Sequence, residues 1–396
     1  MTVASVLASS QALEAQSPPP PILPSTRVVQ AGPASLYPSI ALRDVGTDSN
    51  VYNDGLDPRA DFTYSVTPRL FTVIPIANAR FIGTGTGDFV YYRTYKDQQS
   101  LNGFVEGRYD VVDALIRPFA AVGFDTQERQ TLEIDARVRQ SHTTITLGAE
   151  VALTAKTALT GWVQRAKAVW AEDEHYFGSD LSEELDSTTD IAAAGARFRL
   201  TPFTSIVAIA EIQRDRFESS PQRDADSLRL APYVEFDSGA SIVGRARAGF
   251  RTFRPLQFQT AGYSGPVSSV ALALNILNTT RGKVDAGHDV RFSYDPMQPF
   301  YLETGLTFEI RQRVAGPFDV VGLGERWQLR HQRAGASSFD GRSEDITMIG
   351  AGIGVRMREQ VELTFTIERR ERTSSDPLLR NYERRRVLAS ISYGLS

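Results

Sequence analysis

Among its 396 residues the chain has no cysteine, and it has only 4 histidines. Zero Cys removes disulfide frameworks, Cys-type zinc sites and thiol nucleophiles together. No charge of either sign dominates: Lys+Arg 43 against Asp+Glu 47 gives a net charge of −4. A nucleic-acid binder, which carries a basic face or stripe, is therefore not expected. Long apolar runs are also missing. The longest uncharged interval, residues 255–280, is broken by Gly, Pro, Ser, Gln and Asn, so a membrane-spanning helix is excluded. A mean hydropathy of −0.24 excludes a bundle of such helices. It does not exclude a membrane β-barrel, in which only every second residue meets lipid.

What the chain does have is alternation. From about residue 36, segments of roughly 10–16 residues switch between apolar and polar at the strand period and are separated by turn residues. Ile242, Ala246, Ala248 and Phe250 fall on one face of such a segment, and Arg245, Arg247 and Arg251 on the other. Leu302, Leu306, Phe308 and Ile310 oppose Tyr301, Glu303, Glu309 and Arg311 in the same way, as Leu363, Phe365 and Ile367 oppose Glu362, Thr366 and Glu368. About 18 strands are expected between residues 38 and 395. Their connections alternate between tight links, such as Ala77-Asn78 and Thr201-Pro202, and longer polar ones, such as 48–59, 172–187 and 332–344. Tight turns at one rim and loops at the other predict an all-β, antiparallel, up-and-down transmembrane barrel. Strands of a soluble sandwich are typically about 5–6 residues.

The N-terminus lacks the basic start of a secretory signal, since the first basic residue is Arg27. Its small-residue run and Ala12-Leu13-Glu14-Ala15 still read as the end of one. Residues 1–16 are expected to be a truncated signal peptide, with a disordered soluble start as the alternative. Residues 17–35, opening with four consecutive prolines, are expected to be a periplasmic leader. Residues 36–396 are expected to form the barrel.

Several stretches carry a family texture. One is Pro38-Ser-Ile-Ala-Leu-Arg-Asp-Val-Gly-Thr-Asp-Ser-Asn50-Val-Tyr52, a strand running into an Asp-x-Asn loop. Others are Arg214-Asp-Arg-Phe217 with Arg223-Asp-Ala-Asp-Ser-Leu-Arg229, and Gly249-Phe-Arg-Thr-Phe253 with Ser264-Gly-Pro266. In these the chain resembles the putative β-barrel porin 2 family of Gram-negative outer-membrane proteins. The resemblance implies an outer-membrane location, no enzymatic activity and an association with exopolysaccharide or capsule export. One departure is the end, Tyr393-Gly-Leu-Ser396, which sets the last aromatic three residues early.

Inward parity collects the candidate lumen lining. The basic candidates are Arg108, Arg165, Lys167, Arg197, Arg199, Arg229, Arg245, Arg247, Arg251, Arg291, Arg311, Arg326 and Arg330. Glu211, Glu235, Glu303 and Glu309 are the acidic part. In a barrel of this size such groups stay hydrated or pair across strands. One reading is an Arg-rich conduit for anionic polysaccharide or small polar solutes. The other is an ionic network that braces the wall and selects nothing, as in a structural or assembly barrel of the envelope. A secreted carbohydrate-binding β protein is a third. Outer-membrane lipids and the barrel-assembly machinery are the expected partners, and no catalytic residue, metal or cofactor is expected. Gly83/Gly85/Gly87 and Gly350/Gly352/Gly354 lack the spacing and following helix of a nucleotide loop. Glycines two apart instead open one strand face.

Overall fold

The computed structural model describes residues 28–237, 241–257, 261–277, 279–336, 338–358, 360–376 and 380–394. The expected signal peptide and most of the leader lie outside these residues. Eighteen strands, labelled β1–β18 in chain order, form the barrel wall. The first six are Ala34–Asp48, Asp61–Ile76, Ala79–Tyr92, Ser100–Val111, Ile116–Arg129 and Val138–Ala152. β7 to β9 are Thr157–Trp170, Ser187–Thr201 and Thr204–Phe217. β10 comes in two pieces, Ala225–Leu230 and Tyr233–Phe236, because Pro232 has no N–H to give the ladder. β11 to β14 are Ile242–Pro255, Tyr263–Ile276, Thr280–Phe292 and Phe300–Ala315. Phe318–Gln332, Ser343–Arg358, Val361–Ser374 and Tyr382–Tyr393 complete the wall as β15 to β18.

Each strand pairs antiparallel with its sequence neighbours, and β18 closes the ring on β1 with Leu42 opposite Ile391 and Asp48 opposite Arg386. A bulge after Leu42, where Asp44 takes a positive φ of 54°, absorbs the mismatch at this seam. A short segment, Val29–Ala31, folds back on β1. Sheet pairing thus already occurs at residues 29–31 and from residue 34, within the expected leader.

Closure explains the burial pattern. Ile145, Leu147, Val163, Ile206, Phe250, Leu306, Phe308, Ile349, Phe365 and Ile367 are exposed large apolar side chains on the outer face, as a lipid-facing surface requires. The two glycine triplets sit on opposite faces. Gly83 and Gly107 on the outside make room for the ring of Phe81, whereas Gly350 and Gly354 on the inside leave room for Glu368, Asp319 and Glu362. A strand of 14 residues spans about 33 Å when tilted, more than the apolar band of about 25 Å. The strands thus overrun the hydrocarbon, and the overrun lies on the loop side.

Tight turns join the strands at one rim, with Ala77 and Leu277 at positive φ. The loops at the opposite rim fold over the mouth. Residues 130–137, between β5 and β6, reach the far wall. There Leu132 packs with Tyr301, Trp327, Leu329 and Ile346. Ile134 and Val138 join Trp170, Tyr176, Leu181, Leu185 and Tyr294 in a second cluster, drawn from three different loops and their flanking strands. A short α-helical turn in this cap, α1 (Leu181–Leu185), starts on Asp180, whose carboxylate accepts from the N–H groups of Ser182 and Glu183.

Candidate functional site in the barrel lumen

The inward positions of β9 to β18 are joined by ion pairs. Arg229 bonds Glu211 at 3.3 Å and Asp289 at 2.5 Å, Arg251 reaches Asp289 at 2.8 Å, and Arg247 contacts Glu211. Nearer the tight turns, Arg245 bonds Glu235 at 2.8 Å, and Arg197 spans Glu235 and Glu150 at 3.2 and 3.4 Å. On the β14 side Arg311 bonds Glu309 at 2.5 Å and contacts Glu362, while Arg291 reaches Glu303 at 3.6 Å. Arg108 bonds Asp110 at 2.6 Å and lies over the Phe119 ring. These side chains are largely buried, and each cation has a carboxylate beside it. Arg199 has the same parity but stands exposed at the end of β8.

Four of the expected lining residues are not in the lumen. Arg165 and Lys167 point outward from β7, where they pair with Asp190 and Glu218. On that strand Trp162, Gln164, Ala166 and Trp170 take the inward positions. Arg326 and Arg330 point outward from β15, whose inward set is Glu325, Trp327, Leu329 and His331. The physical reason is the overrun. Above the apolar band the outer face meets polar surroundings, so a charge on a strand no longer implies the inside.

The cap is held to the wall by a separate ionic knot. Arg372 donates to the carbonyls of Leu132 and Glu133 at 3.0 and 3.2 Å and contacts the carboxylates of Asp135 and Glu344. Glu133 accepts from Ser293 at 2.5 Å and lies 3.2 Å from Nε2 of buried His331, which Arg342 also touches at 2.9 Å. Tyr382 donates to Asp135 at 3.2 Å. Burial raises the Asp135 carboxyl above its ordinary value, against the pull of Arg372. Arg342 is raised because Glu344 and Glu133 outweigh the burial that opposes its charge. Burial also pushes the Tyr294 hydroxyl up to about 12. Sequence reasoning missed this knot. Its local signal is Leu132-Glu133-Ile134, two apolar residues around a carboxylate in a segment between strands.

Beneath the cap lies a cavity of about 990 Å³, roofed by Thr131, Glu133 and Ile134. Seven cations line it (Arg69, Arg129, Arg229, Arg245, Arg251, Lys283, Arg291), facing seven carboxylates (Asp88, Glu106, Asp125, Glu133, Asp215, Asp285, Glu309). The rest of its polar lining is neutral and concentrated on β6 to β9, with Gln140, Thr144, Thr146, Gln164, Thr189 and Gln213. Among the described residues no group of His, Asp or Glu is arranged to hold a metal. Of the histidines, His142 faces the cavity 3.4 Å from Asp125, and His288 points outward to Thr304.

The model of one family, putative beta-barrel porin 2, matches residues 29–393. The chain belongs to this family. It is a porin-like β-barrel of the bacterial outer membrane, with the tight turns on the periplasmic side and the capped mouth outside. No curated protein matches the chain. Among solved structures it is similar to OccK2 (OpdF) of Pseudomonas aeruginosa in complex with glucuronate. That likeness has a TM-score of 0.48 at 9% identity and covers 90% of this chain and 98% of that one. Similarity to opdK of the same organism has a TM-score of 0.47 at 10% identity, with the same coverage. The FrpB iron transporter of Neisseria meningitidis gives 0.41 at 10% identity. That likeness covers 87% of this chain, which spans only 64% of the transporter.

Proposed function

We propose that this barrel is a passage for small polar solutes, gated at its outer mouth by residues 130–137. The observation that carries this reading is the 990 Å³ polar cavity under a loop that reaches across the mouth to Arg372 on the far wall. The cavity's charges balance, seven against seven, so the field along it is weak and selection by ion sign is modest. This replaces the idea of an anion-selecting arginine conduit, because the arginines of β8 to β14 are held by neighbouring carboxylates. The association with exopolysaccharide export rests on the family resemblance. A polymer strand would enter only after the cap had left.

Single-channel recording in planar bilayers tests the proposal. Stable conductance steps that grow when residues 130–137 are deleted are expected. A folded, inserted protein that is silent with and without the segment would remove the transport reading and leave a bracing barrel of the envelope.

A further inference from the structure

We infer that β6 and β7 carry a binding site for an uncharged saccharide of two or three rings, inside the cavity. The inference rests on the passage reading only for how the ligand arrives, and binding itself is independent of conduction.

Gln140, Thr146 and Gln164 are each more than nine-tenths buried, and each lines the cavity. Among the described residues none of their side-chain amides or hydroxyls bonds another protein group. Thr146 and Gln164 are direct partners across the β6–β7 ladder, and Gln140 stands opposite Trp170. Polar groups this deep are ordinarily paired; across the lumen each arginine reaches a carboxylate, although Nε and Nη1 of Arg247 have no hydrogen-bond partner among the described residues. Donors and acceptors left open toward a cavity are what a ligand site presents before it is filled.

The chemistry of these groups selects the ligand class. Each amide and each hydroxyl both donates and accepts, which complements sugar hydroxyls that do the same. An anion offers acceptors only and would use half of them. It would also meet Asp125 on the adjacent β5 and Asp215 on β9, whereas β6 and β7 contribute no Arg or Lys to the cavity. A cation would leave the amide N–H groups unpaired. The buried ring of Trp170, at the loop end of β7, supplies an apolar face for sugar C–H groups. A volume of 990 Å³ is at the upper end for a ligand pocket, enough for a short oligosaccharide with water.

The test uses the full chain, folded in detergent, with tryptophan fluorescence as the readout. The probes are neutral di- and trisaccharides of glucose, galactose and mannose, and a uronic acid disaccharide. Saturable binding of at least one neutral sugar is expected, with the uronic acid weaker. Gln140→Leu with Gln164→Leu should weaken binding at least tenfold, and outward Thr143→Val on the same strand should leave it unchanged. Heat-modifiable migration in gels confirms that each variant is folded, and Gln164→Asn offers a milder second variant with partial loss. No saturable binding across the panel, equal binding by the double Leu variant, or tighter binding of the uronic acid would each overturn the inference. Binding without conductance would cost the passage reading and leave the site standing, and conductance without binding would do the reverse.

Discussion

The two sides of the lumen are built alike and behave differently. Both alternate inward and outward residues on tilted strands, and both bury polar side chains. Along β9 to β18 those side chains are arginines and carboxylates that bond one another. Along β6 and β7, beside the paired His142 and Glu150, they include Gln140, Thr146 and Gln164, which bond no other described residue. A paired wall is braced, and its charges are offset before any solute arrives. An unpaired wall is available. In this barrel the density of arginine marks the bracing, and the unsatisfied neutral groups mark the surface that meets a ligand.

The sharpest way to break the comparison is to cut the cap from the braced wall. Arg372 is completely buried and holds two carbonyls of residues 130–137 together with Asp135 and Glu344. Removing one partner of a buried ionic group costs about 3–5 kcal/mol, and here the loss falls on the docked loop. Arg372→Ala is expected to free residues 130–137, raise single-channel conductance and open the segment to protease. Unchanged conductance with an uncut loop would show that the apolar contacts of Leu132 and Ile134 and the bonds of Glu133 hold the cap without Arg372.

A matched pair of substitutions comes next. Glu211→Ala leaves Arg229 and Arg247 without a shared carboxylate and should lower stability by about 3 kcal/mol. Gln164→Leu, on the opposite wall, removes no bond and should change stability by less than about 1 kcal/mol. The temperature at which the folded gel band is lost measures both. Equal losses would erase the distinction between the two walls.

Outward positions provide a control on parity. Ala246→Arg places a charge on the lipid face of β11, at a cost of about 2–4 kcal/mol near the midplane. Arg326→Ala, above the apolar band, should be close to neutral. Yields of inserted protein compare them. Normal insertion of Ala246→Arg would mean that β11 is turned the other way.

The architecture was legible in the sequence because closure in lipid forces the period of two. Ala246 against Arg247, or Phe365 against Glu362, needs no knowledge of partners. The strand count and the alternation of turns and loops followed from the same constraint. The site was less legible for two physical reasons. Parity was applied to charges as though every strand ended at the hydrocarbon, which misplaced Arg165, Lys167, Arg326 and Arg330. The cap depends on Arg372 meeting residues far away in sequence, and no local pattern encodes a contact across a barrel. Gln140 and Gln164 drew no attention because a neutral amide on a strand looks like any polar position. Only the absence of a partner sets them apart, and that is visible in three dimensions alone.

The smallest expected effect concerns charge. Lys283 is one of the seven cations of the cavity. Lys283→Gln therefore tilts a balanced lining toward the carboxylates by one charge. Salt limits how far that reaches, since the screening length is about 8 Å at physiological ionic strength. The cation-to-anion permeability ratio, from the reversal potential in a salt gradient, should rise by less than about twofold at that ionic strength and more in dilute salt. A large shift would mean that ions pass Lys283 closely at a constriction, and that the arginine pairs of the braced wall leave more field in the lumen than their bonding implies.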